Sequence, residues 1–326
     1  MSFTTTILEW FKENGRALPW RETRDPYAIW LSEIILQQTR IEQGRPYWER
    51  FMKRWPTVEA LAHATEDEVL REWQGLGYYS RARNLHTAAQ QIVERGGFPT
   101  TLEGIKALKG VGDYTAAAIG SIAFNLPAAV VDGNVYRVLS RHYGITTPIN
   151  TTEGKKVFTA LAQSLLPLAQ ASAFNQAMMD FGATQCTPSS PNCPSCPLAE
   201  SCVALREERI DELPVKQRTL KVKERQLTYI YIRCNGYTAI HRRPAGDIWQ
   251  GLYEPWLTED VPCGAVLLRQ RVKHVLTHRI LYADFWLWET EERPQLPDDY
   301  FWIKEEEVGN YGVPRLIEIL LETLNT

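Results

Sequence analysis

Four cysteines fall within seventeen residues, Cys186, Cys193, Cys196 and Cys202, in a stretch otherwise rich in proline and serine. Thiolates gathered this tightly hold a tetrahedral zinc ion or an iron–sulfur cluster. The gaps of six, two and five residues do not separate the two, although the prolines after Cys193 and Cys196 lean toward a cluster. Cys234 and Cys263 stand alone and read as isolated buried residues. Two carboxylates also stand out. On a helix, Glu33 would have Ile29, Trp30, Leu36 and Gln37 at three and four positions. A carboxyl so desolvated has a raised pKa and suits proton donation near neutrality, although a glutamate on the polar stripe of an amphipathic helix fits the same pattern. Asp132, in the run Val130–Val138, stands where a helix begins. Its ordinary reading is an N-cap, and backbone N–H groups would keep it ionised. One acid held protonated and one held charged is the pairing that breaks glycosidic bonds through an oxocarbenium-like state.

Two further segments suit an anionic partner. In Leu108–Ala116, Gly110 and Gly112 permit a tight turn whose N–H groups face outward, a seat for a phosphate. A plain helix–helix turn needs the same glycines. Trp73–Asn84 joins glycines, aromatics and arginines, so that Tyr78 could wedge between bases while Arg81 and Arg83 address phosphates. A solvated turn with inward-facing aromatics is the bland alternative.

The elements that must carry these residues are helical from about 4 to 206. Amphipathic stretches are expected at 27–41, 46–54, 66–73, 80–95, 101–108, 113–123, 134–142, 153–166 and 171–181, punctuated by Gly, Pro or Asn. The charged stretch 207–224 reads as a linker. Beyond it, β-branched and aromatic runs, an Asn235-Gly236 hairpin turn and a closing helix over 313–324 indicate an α+β domain over 225–326. With 326 residues, two domains are expected. The net charge of −3 divides unevenly: Lys+Arg and Asp+Glu are 23 and 23 through residue 220, then 13 and 16. Charge therefore neither names nor excludes a partner. No apolar run approaches the ~20 residues of a membrane span, and the first residues lack the pattern of an export signal. A cytoplasmic location is expected, nucleoid-associated if the source is bacterial, with no membrane partner and a monomeric state; there, clustered cysteines bind metal in preference to forming disulfides.

Taken in order, Leu18–Arg21, Ser32–Thr39, Gly75–Tyr79 through Asn84, the Gly110/Gly112 hairpin, Val131–Asn134 and the cysteine loop resemble the helix-hairpin-helix DNA glycosylases with a [4Fe–4S] loop, and within them the adenine DNA glycosylase (MutY) family. The resemblance is dense from about 7 to 213. It implies an all-α catalytic region over 1–206, with a six-helix barrel at about 22–123, and a cluster subdomain formed by 1–21 and 124–206. A smaller α+β Nudix-like domain would follow. It implies a monofunctional enzyme that flips adenine out of duplex DNA containing A:8-oxoguanine or A:G and hydrolyses its N-glycosidic bond. Glu33 would protonate adenine N7, Asp132 would stabilise the sugar cation, and Tyr114 and Asn134 would hold the sugar and the water. Trp20 and Arg21 would line the base pocket. Gln38, Leu76 and Tyr78 would face the DNA stack, Gly110 and Gly112 a phosphate, and Cys186, Cys193, Cys196 and Cys202 would hold the cluster. Tyr114 occupies the position where endonuclease III has the lysine of its Schiff base, so no strand-cutting lyase step is implied. In the second domain, His274–His278 aligns with the family's lesion-reading Phe-Ser-His loop, with Leu276 and Thr277 substituting and His278 retained. The glutamate-rich metal box of a Nudix hydrolase is absent, so this domain would read the lesion and perform no second reaction.

Overall fold

Helix starts along the first two hundred residues are set by short polar side chains. Ser2, Asp25, Thr65, Thr101, Asp132 and Thr151 each accept from a backbone N–H of the first turn. The computed structural model describes residues 1–217 and 223–324. In chain order the longer elements are α1 (Phe3–Asn14), α2 (Pro26–Ile35), α3 (Ile41–Arg54), α4 (Val58–His63), α5 (Glu66–Glu72), α6 (Ser80–Glu94), α7 (Leu102–Lys106), α8 (Asp113–Phe124), α9 (Gly133–Tyr143), α10 (Thr152–Leu165), α11 (Ala171–Asp180) and α12 (Val203–Arg206). Six strands follow: β1 (Lys223–Arg233), β2 (Tyr237–Arg242), β3 (Tyr253–Leu257), β4 (Val266–Val275), β5 (Arg279–Glu289) and β6 (Tyr300–Lys304). Helix α13 (Arg315–Leu324) closes the chain.

The chain forms two compact units: Met1–Gly44, Trp55–Glu59 and Thr87–Arg218 make the first, and Arg45–Arg54, Ala60–His86 and Thr219–Thr326 the second. In the first, α2 lies against α8 over Ile29, Ala117, Ala118 and Ile122. Gly120 of α8 shows how closely packed that helix is, because an added Cβ would stand 2.8 Å from Leu102 Cδ2. A second cluster, Ile7, Leu139, Phe158, Phe174 and Phe181, joins α1, α9, α10 and α11. In the second unit the six-stranded sheet has the order β4-β5-β1-β3-β2-β6, with β1 parallel to β5 and the other pairs antiparallel. Asn235 and Gly236, at φ 50° and 80°, make the expected tight turn between β1 and β2.

Three expectations differ from what is seen. The helix expected over 27–41 ends at Ile35, because Gln38 turns into the left-handed region at φ 56° and the next helix begins at Ile41. Helical residues 45–54 and 60–86 group with the C-terminal sheet, which cuts across the expected 22–123 barrel. Polar ties include Arg242 of β2 pairing with Glu66 and Asp67, and Gln74 donating to Glu318 of α13 at 2.6 Å. The charged stretch 207–217 is anchored to the first unit, since Arg141 Nε donates to the carbonyls of Ile210 and Leu213, and Ile149 N donates to Val215 O at 3.0 Å. The rest of that expected linker, 218–222, lies outside the described residues.

Candidate active site

Helix α2 is buried almost all round, with Ile29, Trp30, Leu31, Ile34 and Ile35 all under 5 % exposed, so a carboxylate on it loses water on nearly every side. Glu33 nevertheless lines a cavity, beside Ile29 and Ser32 of the same helix. Burial, with a smaller push from Asp132, raises its pKa to about 7, against the downward pull of Tyr114 and Arg21. Tyr114, in the first turn of α8, donates from Oη to Glu33 Oε2 at 3.1 Å. Burial first, then the two carboxylates, holds the Tyr114 phenol far above its ordinary value, so it remains a neutral donor.

Asp132 is the N-cap of α9. Its Oδ1 accepts from Val135 N and its Oδ2 from Asn134 Nδ2, both at 2.8 Å, while Arg137 Nη2 donates to Asn134 Oδ1 at 2.8 Å. The backbone donors expected to favour its charged form are present, but they do not alone set its pKa. Burial raises it above its ordinary value, and the donors of Val135 and Asn134 together with the Arg137 charge offset only part of the rise. The segment leading into Asp132 is pinned by Asn175, which accepts from Val130 N and donates to Ala128 O and Ser121 Oγ.

A cavity of about 370 Å³ has Trp20, Arg21, Glu33, Tyr114, Asp132 and Asn134 on its walls, so six of the expected residues meet at one place. That volume is in the range of about 300–1,000 Å³ usual for small-molecule sites. Arg21 is fixed by paired bonds to Asp180, 2.7 Å to Oδ2 and 2.8 Å to Oδ1, and Arg16 binds the same carboxylate. Burial alone would raise the Asp180 pKa, but the bonds from Arg21 and Arg16 outweigh it and hold it low. Sequence reasoning missed Asp180 and Asn175; a lone acid after the apolar run Ala177–Met179 was the available signal.

The remaining expected residues are spread over other surfaces. Gly110 has φ 77°, which only glycine adopts without strain, and Gly112 caps α8 with open space where a Cβ would be. Gln38 is exposed on the bend after α2. In the second unit Tyr78 is 48 % exposed at φ 48°, and its hydroxyl hydrogen-bonds Thr277 Oγ1. Thr277 and His278 form the exposed turn between β4 and β5. Leu76, by contrast, is buried, at 7 % exposure. Arg81 and Arg83 also differ from expectation. Arg81 lies over the Trp73 ring, and Arg83 donates to Gln250 O at 2.6 Å, so both guanidinium groups face protein.

The four clustered cysteines are free thiols, none joined in a disulfide. They stand close enough that Cys186 and Cys202 raise the pKa values of Cys193 and Cys196, after burial. Arg141 Nη1 lies 3.6 Å from Cys186 Sγ, a cation placed beside prospective thiolates. As they stand, no three His, Cys, Asp or Glu side chains among the described residues could hold a metal ion. Four unpaired, mutually interacting sulfurs with a guanidinium at their edge nevertheless fit the donor set of an anionic iron–sulfur cluster.

Residues 31–165 match the family model described as HhH-GPD superfamily base excision DNA repair protein, and residues 228–323 match a NUDIX domain. An adenine DNA glycosylase of Buchnera aphidicola (subspecies Schizaphis graminum) is 34 % identical over 254 residues, spanning 77 % of this chain and 73 % of that protein. The chain belongs to the adenine DNA glycosylase family. As a member it is an adenine-specific DNA N-glycosylase of base excision repair. The human adenine DNA glycosylase is 42 % identical over 214 residues, 62 % of this chain and 39 % of that longer protein. Among solved structures, a thermostable thymine-DNA glycosylase aligns with a TM-score of 0.59 at 32 % identity, covering 63 % of this chain and 95 % of that one. A non-covalent endonuclease III–DNA complex aligns at 0.54 with 24 % identity, covering 64 % and 99 %, a likeness of fold. The helical glycosylase fold and the small α+β Nudix-like region thus stand as the sequence reading had them.

Proposed function

We propose that this glycosylase hydrolyses the N-glycosidic bond of adenine paired with 8-oxoguanine or guanine, by water and without a lyase step. The observation that carries the reading is the shared cavity of Glu33 and Asp132. Glu33, with its pKa near 7, is half protonated at neutral pH and can give its proton to N7 of a flipped adenine. The C1′–N9 bond then breaks with its electron pair leaving on the base. Asp132, fed by Val135 N and Asn134 Nδ2, is the better stabilised anion and would face the developing sugar cation. Water adds to C1′ and yields its proton to a carboxylate, which restores the charge balance. Tyr114 would steer the proton of Glu33, Trp20 and the Asp180-fixed Arg21 would bound the base, and the N–H groups at Gly110 and Gly112 would hold a DNA phosphate without reading sequence.

Cys186, Cys193, Cys196 and Cys202 would hold a [4Fe–4S] cluster that fixes their loop and supplies no step of the hydrolysis. Tyr114 offers a phenol and no amine, which supports a water route over a Schiff base. Recognition of 8-oxoguanine is assigned to the exposed pair Tyr78 and Thr277 with the neighbouring His278, a hydroxyl-bearing turn beside an aromatic wedge. Among the described residues no single helix is long and apolar enough to cross a membrane. The enzyme is proposed to work as a monomer on duplex DNA, in the cytoplasm or at a nucleoid. Single-turnover excision from duplexes with adenine opposite 8-oxoguanine, G, C and T tests the specificity; equal rates on all four refute it. Borohydride trapping on an abasic duplex tests the lyase assignment, since a covalent adduct would refute hydrolysis by water alone.

A further inference from the structure

One face of α1 and the segment between Cys193 and Cys202 line a second, open cavity in the first unit, of about 1260 Å³. Glu9 and Glu13 stand one helical turn apart on α1, Glu200 faces them, and all three are exposed. None of the three takes part in an ion pair among the described residues. The cavity wall is aromatic: Trp10 is partly exposed, and Phe3, His142 and Tyr143 form a trio with ring centroids 4.7 to 5.6 Å apart. His142 is only 8 % exposed, and its Nδ1 is buried without a hydrogen-bond partner. Such an orphan costs stability unless something supplies the missing bond.

We propose that this cavity seats an arginine-bearing peptide segment of a partner protein. Free carboxylates at the rim repel the phosphates of nucleic acid and attract a cation. Aromatic faces beneath them favour a guanidinium, which stacks and forms directed hydrogen bonds at once. Burial lowers the pKa of His142, so its ring stays neutral and adds no positive charge that would repel a guanidinium. The volume exceeds the about 300–1,000 Å³ of sites for small molecules, which suits a chain segment. The site is separate from the excision cavity, and neither reading depends on the other.

The test uses the full-length enzyme and a short fluorescent peptide of alternating arginine and glycine, followed by anisotropy. The triple variant Glu9→Gln/Glu13→Gln/Glu200→Gln should bind about tenfold more weakly. Tyr143→Ala, which leaves the charge unchanged, should also weaken binding severalfold. Both variants should excise adenine at the wild-type rate, showing that the fold is intact. Unchanged affinity in the triple variant overturns the proposal. So does a triple variant that weakens binding while Tyr143→Ala does not, because the peptide would then be meeting diffuse charge. Sedimentation of the free wild-type enzyme as a dimer that the triple variant dissociates would assign the cavity to a second copy, and would also overturn it.

Discussion

Replacing Glu33 by glutamine should stabilise the protein while removing its activity, and the stabilisation should depend on pH. The folded state holds this carboxyl at about 7, against 4.5 for the free group. At about 1.4 kcal/mol per tenfold change, ionising it inside the site costs about 3 kcal/mol relative to the unfolded chain. The sign follows from the raised value. Below 4.5 both states are protonated and the group contributes nothing; the penalty then grows with pH and levels off above about 7. Glutamine keeps the shape and an oxygen for the Tyr114 hydroxyl but never ionises. Urea unfolding should therefore show Glu33→Gln more stable than the native protein by about 3 kcal/mol at pH 8 and by less than about 1 kcal/mol at pH 5. Excision should fall by about 10²- to 10⁴-fold, the usual worth of a general acid. An equal stability gain at both pH values would show that burial does not perturb this carboxyl. A variant that excises adenine normally would remove Glu33 from the chemistry altogether.

The native enzyme's single-turnover rate should decline above about pH 7 as Glu33 loses its proton, and a flat profile to pH 9 would contradict the acid role. Asp180→Asn leaves the Arg16 and Arg21 guanidinium groups facing a neutral, buried amide, so the protein should lose about 3–5 kcal/mol in denaturant melts, and any folded fraction should bind adenine duplex more weakly. Gly110→Ala forces a side chain into the left-handed region, and a drop of about 1 kcal/mol or more in stability is expected, with weaker binding to duplexes of any sequence in a gel-shift series. Protein purified without oxygen exclusion should be coloured and contain iron, and a Cys196→Ala variant should lose both; a colourless, zinc-loaded and fully active native protein would remove the cluster assignment.

The elements were legible because their signals are local. The Asp132 cap, the apolar period of α9 and α10, and the Asn235-Gly236 turn each act within a few residues, so the sequence alone places them. The bend at Gln38 was not legible, because it depends on a left-handed backbone residue that no local motif announces. The order of motifs along the chain was enough to indicate the family, since each motif restricts the residue types at its own positions.

What tertiary structure alone decided is the electrostatics. That Asp132 is desolvated as well as Glu33, whose apolar helical neighbours already announced a raised pKa, follows from burial that its local sequence does not show. The same holds for Asp180, which joins Arg16 and Arg21 across more than 150 positions, and for Arg81 and Arg83, whose charges turn inward. Residue type fixes which charges a chain can carry. The free energy of carrying them depends on the surrounding dielectric and on nearby donors, and folding supplies both.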